Sequence, residues 1–566
     1  MLPTSLFQRL GSNRDGYRRW KAHQKPDRRR PSFRPALENL EERTVPSTLM
    51  VTRAADDGSS GTLRAVLASA GPGAVIHFAK NLNHDTITLT QGELLINQNQ
   101  DIEGPGPGLL TISGNAASRV FEIGSSATVT IAGLTITNGL TPNGGAGIYV
   151  DPSASATVSN CNLAGNKANS GGAIYDNLVT LTITNSNFTG NQAVGPNSFL
   201  STATAFGGAI ENQGGSVAIS KSAFFANQAA GSSPGAAASG GAIDNEGTMT
   251  ITNSLLTGNQ ALGAPGGDGL YTGSYGQGGA INNFGSSLTI TNSTFIGNLA
   301  MGAPLLPGAP VGFVAASAGG AIASASVQAF MVNGSSFIGN QAIGGAGGPG
   351  DAGSAGLGGA IWCFETLPMS VSGCAFFLNS AIGGAGASGA TGGPGIGGAV
   401  DVSGSPVSSM ATITASTFGL NSAVGGTGGT SANGGPGAGG AIDVGSGAIF
   451  GGFDQSVLTL ATCTLELNQA RGGAGGATGA GGAGWGGGLA FLAGGGTDNG
   501  SAFDNNLAIG GTGGAGGKGG DGQGGGIYLS GPGLFGNFPA ANLVGSTVSG
   551  NLAIGGTGGT GGSGGD

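Results

Sequence analysis

The sequence predicts an all-β chain folded as a parallel β-helix solenoid, and three observations carry that prediction. One repeat unit recurs eleven times between Gly145 and Asn551. Within each copy, Thr, Ile, Ser and Val alternate as they do in strands. Gly makes up 123 of the 566 residues, far above its usual share of ~7%. Length alone suggests several globular domains. A fixed repeat outranks length, because a solenoid grows in one dimension by stacking equivalent units.

Residues 1–47 read as a basic, disordered leader or targeting segment. Residues 1–43 hold 11 Lys/Arg against 5 Asp/Glu, whereas residues 44–566 hold 8 against 23. An acidic body of this kind argues against nucleic acid as a partner. The sequence has no apolar run of the ~18 residues that a spanning helix needs, and no secretory apolar core in the leader. Residues 48–140 read as an N-terminal cap with the first coils. Leu49–Thr52 is a first strand, and Gly61–Leu67 is an amphipathic helix with Thr62 as its N-cap. That helix covers the open end of the stack, where bare strand edges would recruit other chains. Strands follow at 75–78, 86–89, 94–96, 109–112, 120–123 and 129–136, some separated by Gly/Pro clusters.

Residues 141–553 hold the eleven copies. Most begin at a Gly-Gly turn, as at Gly171-Gly172-Ala173-Ile174, and all end at an Asn. The copies start 26 to 47 residues apart. The shortest has room for three short strands and three turns at ~3.3 Å per residue. Alignment on the closing Asn gives a structural ladder of Asn166, Asn191, Asn227, Asn259, Asn298, Asn340, Asn379, Asn421, Asn468, Asn506 and Asn551. Coils stacked at ~4.8 Å let such amides donate and accept along the stack. Three residues earlier lies an apolar ladder: Leu163, Phe188, Phe224, Leu256, Phe295, Phe337, Phe376, Phe418, Leu465, Phe503 and Val548. Five residues before each Asn the chain always has Ser or Cys, with Cys161, Cys374 and Cys463 among them. These cysteines fall in non-adjacent copies, too far apart for a disulfide, so buried thiols are expected. No CxxC occurs.

From Ile343 onward, Gly-rich inserts follow the Asn, as in 344–350 and 510–521, and residues 554–566 form a Gly-rich tail. All should project from one corner of the coil. Their Gly-Gly-X period resembles the Gly-rich repeats of some mycobacterial surface proteins. It suits either a three-residue extended helix related to polyproline II or flexible loops.

Two further resemblances bear on function. The run Leu37-Glu38-Asn39-Leu40-Glu41-Glu42-Arg43-Thr44-Val45-Pro46-Ser47 resembles a short N-terminal motif of extracellular planctomycete proteins, which implies export. The paired Gly-Gly-Ala-Ile and Phe-x-x-Asn motifs resemble the repeat of polymorphic outer membrane proteins. That resemblance implies a right-handed parallel β-helix of the pectin-lyase type, serving as an adhesive surface passenger. The sequence stops at Asp566 without a barrel, so export by another route is expected.

The sequence carries no evident catalytic constellation. No Arg or His lies between Arg119 and Arg471, and the Lys residues there are Lys167 and Lys221. Glu211 with Asp244, and Asp401 with Asp443, occupy matching positions in neighbouring copies. Stacked carboxylates can share a Ca²⁺ or stand as solvated surface groups, and the surface reading is the simpler. Trp362, Trp485, Tyr149, Tyr175 and Tyr528 can stack on sugars, but they are scattered among copies, which favours scaffold packing. The expectation is therefore a non-catalytic, extracellular, structural or adhesive protein without a cofactor. Its partners would be cell-envelope glycans or other surface proteins. The alternative is a secreted glycan-binding or polysaccharide-cleaving β-helix.

Overall fold

A computed structural model describes residues 47–195, 204–265, 275–285, 287–304, 316–404, 407–450, 454–530 and 540–566. The leader motif at 37–47 lies outside these residues except for Ser47. Among the described residues, every paired strand runs parallel to its neighbours, and the strands form five sheets of 15, 14, 13, 11 and 9 members. The coil is thus richer than three strands. In the second copy the chain passes through Ile174–Asn177, Thr180–Thr184, Asn187–Thr189, Gln192–Val194 and Ala205–Phe206 before the next Gly-Gly turn. The fourth and fifth strands are two or three residues long, too short for an alternating pattern to reveal them.

α1 (Leu63–Ser69) covers the first coil. Thr62 Oγ1 accepts the Ala65 N–H at 3.3 Å, while Leu63, Val66 and Leu67 are buried. Arg64 ties this helix to Asp56 through two bonds of 2.7 and 3.0 Å. The expected strand at 129–136 is split into Thr128–Ala132 and Thr135–Thr137. Gly133 turns the chain there with φ +65°.

The closing Asn residues form the ladder expected of them. Asn191 Nδ2 donates to Asn227 Oδ1 at 3.0 Å and to the Leu163 carbonyl at 2.9 Å, and its backbone N–H also reaches Asn227 Oδ1 at 3.0 Å. The same three bonds recur from Asn166 through Asn506, which reaches Asn551. Buried amides thereby lose no hydrogen bonds on leaving water. The Ser/Cys row makes a second set of rungs. Ser186 N–H donates to Ser222 Oγ at 3.2 Å, and Ser335 N–H to Cys374 Sγ at 3.5 Å. All four cysteines are free and buried. Inside, Phe188 stacks on Phe224 at 4.6 Å, and Phe337 on both Phe295 and Phe376 at 4.8 Å. Val548 departs from this core ladder. It sits in the last described coil and is 55% exposed, because no further coil among the described residues covers it.

The Gly-rich inserts after residue 343 are ordered. Gly426 N–H donates to the Gly393 carbonyl, Gly435 to Gly426, Gly473 to Gly435 and Gly482 to Gly473, each at 2.8 Å. The row continues through Gly511 and Gly520 to Gly556 and Gly565 in the tail. Each insert runs out and back, so the rows knit successive inserts into a hydrogen-bonded layer. A Cβ on Gly473 would stand 1.9 Å from the Gly426 carbonyl oxygen. Here glycine is required by close backbone approach, without a left-handed torsion.

Candidate functional site

The thirteen-stranded sheet places one residue per coil outward, just after the Gly-Gly-Ala-Ile turn. Pairing register aligns Tyr149, Tyr175, Glu211, Asp244, Asn282, Ala323, Trp362, Asp401, Asp443, Ala490 and Tyr528 in a single column. Four of the five aromatic residues that look scattered in the sequence, Tyr149, Tyr175, Trp362 and Tyr528, are therefore gathered with the four candidate carboxylates on one stripe. Tyr149 and Tyr175 stack with ring centroids 5.2 Å apart. Trp362 stacks on Phe364 at 5.4 Å. Trp485, on the adjoining nine-stranded sheet, stacks on Tyr528 at 5.7 Å.

The four carboxylates are not solvated surface groups. Glu211 and Asp244 are 5% and 1% exposed, and Asp401 and Asp443 are fully buried. Phe206, Ser239 and Gln277 of the nine-stranded sheet line one groove with Asp244, whereas Ser446, beyond the strand that carries Asp443, bonds Asp401. Register repeats in letters, but cover of this kind does not.

The groove beside Asp244 has a volume of about 380 Å³. Asp244 and Glu246 line it with Asn282, Tyr275, Trp362 and Phe364, and Phe206 and Phe284 also border it. Asn282 Nδ2 donates to Asp244 Oδ1 at 2.9 Å. Burial pushes the Asp244 carboxyl up to about 7; the Asn282 bond offsets this and the Glu246 charge adds to it. Burial likewise pushes Glu211 up to about 8, with the Asp244 charge adding to it and a Ser170 bond offsetting it. One Glu211 oxygen and the Trp362 indole nitrogen have no hydrogen-bond partner. The Tyr275 phenol is also raised, first by burial and then by Asp244. Glu246, two residues after Asp244, was missed by alignment on copies because the copies on either side carry Gln213 and Phe284 at that offset, and the other carboxylate there, Asp151, lies three copies away.

Asp401 and Asp443 pair in register further along the stripe. Ser446 Oγ donates to Asp401 Oδ2 at 2.9 Å, but neither oxygen of Asp443 has a partner. Burial raises both well above the usual carboxylate range, and at Asp443 the charges of Asp401 and Asp454 add to it. Among the described residues, no three His, Cys, Asp or Glu side chains come together as a metal site. The expected Ca²⁺ alternative thus rests on carboxylate pairs alone, Glu211 with Asp244 and Asp401 with Asp443.

A second interior ladder also escaped sequence reading. Asn212 donates to Asn245 at 2.6 Å, Asn245 to Asn283 at 2.7 Å, and Asn283 to Ser324 Oγ at 3.1 Å. Asp176 occupies the register position before Asn212. The signal was present as Ile-x-Asn in three consecutive copies.

Among the described residues, no helix is long and apolar enough to cross a membrane. No curated protein matches the chain. Among solved structures, it is similar to the catalytic unit of a thermostable GH87 α-1,3-glucanase from Streptomyces thermodiastaticus strain HF3-3. Identity is 12% and the TM-score 0.33, over 87% of this chain and 66% of that one. It is also similar to alginate lyase AlyF-OU02 in complex with G6, at 12% identity and TM-score 0.24, over 70% of this chain and 86% of that one. A third is ORF18 of Geobacillus virus E2, at 11% identity and TM-score 0.25, over 65% of this chain and 57% of that one. The expectation of a non-catalytic chain is corrected here, because these similar structures include a glucanase catalytic unit and an alginate lyase. Those activities are said of those proteins, and the likeness gives this chain no catalytic residue. The family model described as "Right handed beta helix region" matches residues 110–376. With the five stacked parallel sheets, that match makes the fold a right-handed parallel β-helix.

Proposed function

We propose that this β-helix binds a polysaccharide along the outward stripe and hydrolyses it at Asp244 and Glu246. One observation carries the reading: a buried, proton-holding carboxyl and a second, exposed carboxylate line the same groove as aromatic rings. Hydrolysis of a glycosidic bond needs that pairing of an acid with a base or nucleophile. Asp244 gives its proton to the glycosidic oxygen as the C–O bond breaks. Water adds at the sugar carbon, and Glu246 takes the proton that water loses. Glu211, one rung away, is a second buried carboxyl beside Asp244. Export is part of the proposal, supported by the leader motif at 37–47 and testable by cell fractionation with and without residues 1–47.

Reducing-end release from a polysaccharide panel tests the activity. Asp244→Asn and Glu246→Gln should each lower the rate by about 10²–10⁴-fold. Wild-type activity should fall as pH rises through about 7, where Asp244 loses its proton. Neither release nor binding on any polysaccharide would sink the proposal.

A further inference from the structure

We infer that the polymer is a neutral polysaccharide, laid along the solenoid axis and cut internally; this rests on the hydrolytic reading above. Charge comes first. The groove carries Asp244 and Glu246, and no Lys, Arg or His is among the described groove-lining residues. Arg119, beside the stripe's N-terminal end, lies 4.6 Å from the Tyr149 ring centroid and is held by Glu93 and Glu122 at 2.7 and 2.6 Å. Lys167 borders a different cavity, on the eleven-stranded sheet. A uronate chain would bring its carboxylates against the exposed Glu246 carboxylate in a partly desolvated corner, with no cation among the described groove-lining residues to receive them. A neutral sugar brings hydroxyls that Asn282, Gln277 and the carboxylates can bind.

Direction comes second. The Tyr149–Tyr175 pair and the Trp362–Phe364 pair flank the carboxylates on opposite sides along the axis. At ~4.8 Å per rung, Tyr175 stands about 10 Å from Asp244 and Trp362 about 14 Å on the other side. Aromatic faces of this kind take the apolar faces of sugar rings. Platforms on both sides of the acid hold the chain on both sides of the scissile bond, so cleavage falls within the polymer.

The test uses the full chain on soluble neutral glucans, mannan and xylan, and in parallel on alginate and polygalacturonate. Reducing ends and product lengths are followed together. Neutral polymers should give intermediate-length products first. Trp362→Ala and Tyr175→Ala should raise KM for the polymer by about tenfold with kcat little changed, while far-ultraviolet circular dichroism confirms that both variants fold. Turnover of the uronate polymers alone overturns the neutral assignment and leaves the hydrolytic reading standing. Monosaccharides as the first products overturn internal cleavage. Inactivity on every substrate overturns both readings.

Discussion

Each closing Asn satisfies two coils at once. Asn298 accepts from the Asn259 amide and backbone at 2.9 and 3.0 Å, and donates to Asn340 at 2.9 Å and the Leu256 carbonyl at 3.0 Å. Asn298→Ala strands several buried partners and should cost about 2–5 kcal/mol, read by chemical denaturation. Asp443 works in the opposite sense. Its folded carboxyl holds a proton well above the unfolded value. Above about pH 4 the unfolded chain releases that proton while the folded one retains it, so stability falls as pH rises until the folded carboxyl ionises. Asp443→Asn should remove that loss, raising Tm at pH 7 and leaving it nearly unchanged at pH 3. Residue-scale legibility followed letter constancy. Asn298 and Phe295 keep their spacing in every copy, so their roles could be read. The interior column Asn212, Asn245 and Asn283 passes into Ser324, Cys363 and Val402, and the change of letters hid it. Asp244 could be aligned with Glu211, but the groove it lines is bordered by the two-residue strands Ala238–Ser239 and Gly276–Gln277.

At the scale of elements, the Gly-rich inserts decided between two open alternatives. Their period of three admitted order or disorder, and interlayer bonds of 2.8 Å settle for order. The layer rests on backbone contacts that exclude a β-carbon, so Gly473→Ala should cost about 1–3 kcal/mol through overpacking. Melting of that variant should show the loss, whereas Gly561→Ala tests a different constraint, since φ +81° opposes a side chain there although open space surrounds it. The cap was legible from Thr62 and its apolar face. The two-residue strands such as Ala205–Phe206 were not, because two residues carry no period.

At the scale of the molecule, the solenoid makes function a matter of columns. A stripe one residue wide collects aromatic rings and carboxylates from coils far apart in sequence, and the inserts of unequal length concealed their common register. The right-handed β-helix itself was legible from the repeat and its resemblance. The groove was not, because concavity arises only where two sheets meet.

The Gly layer has a mechanical consequence. Among the described residues, the long rows of insert-to-insert bonds run through the coils after residue 343, where they act in parallel with the β-sheets. Under an axial pull, extension should begin in the N-terminal half and reach the insert-bearing coils at higher force. Single-molecule force traces of the full chain, with and without Gly473→Ala, would order those ruptures.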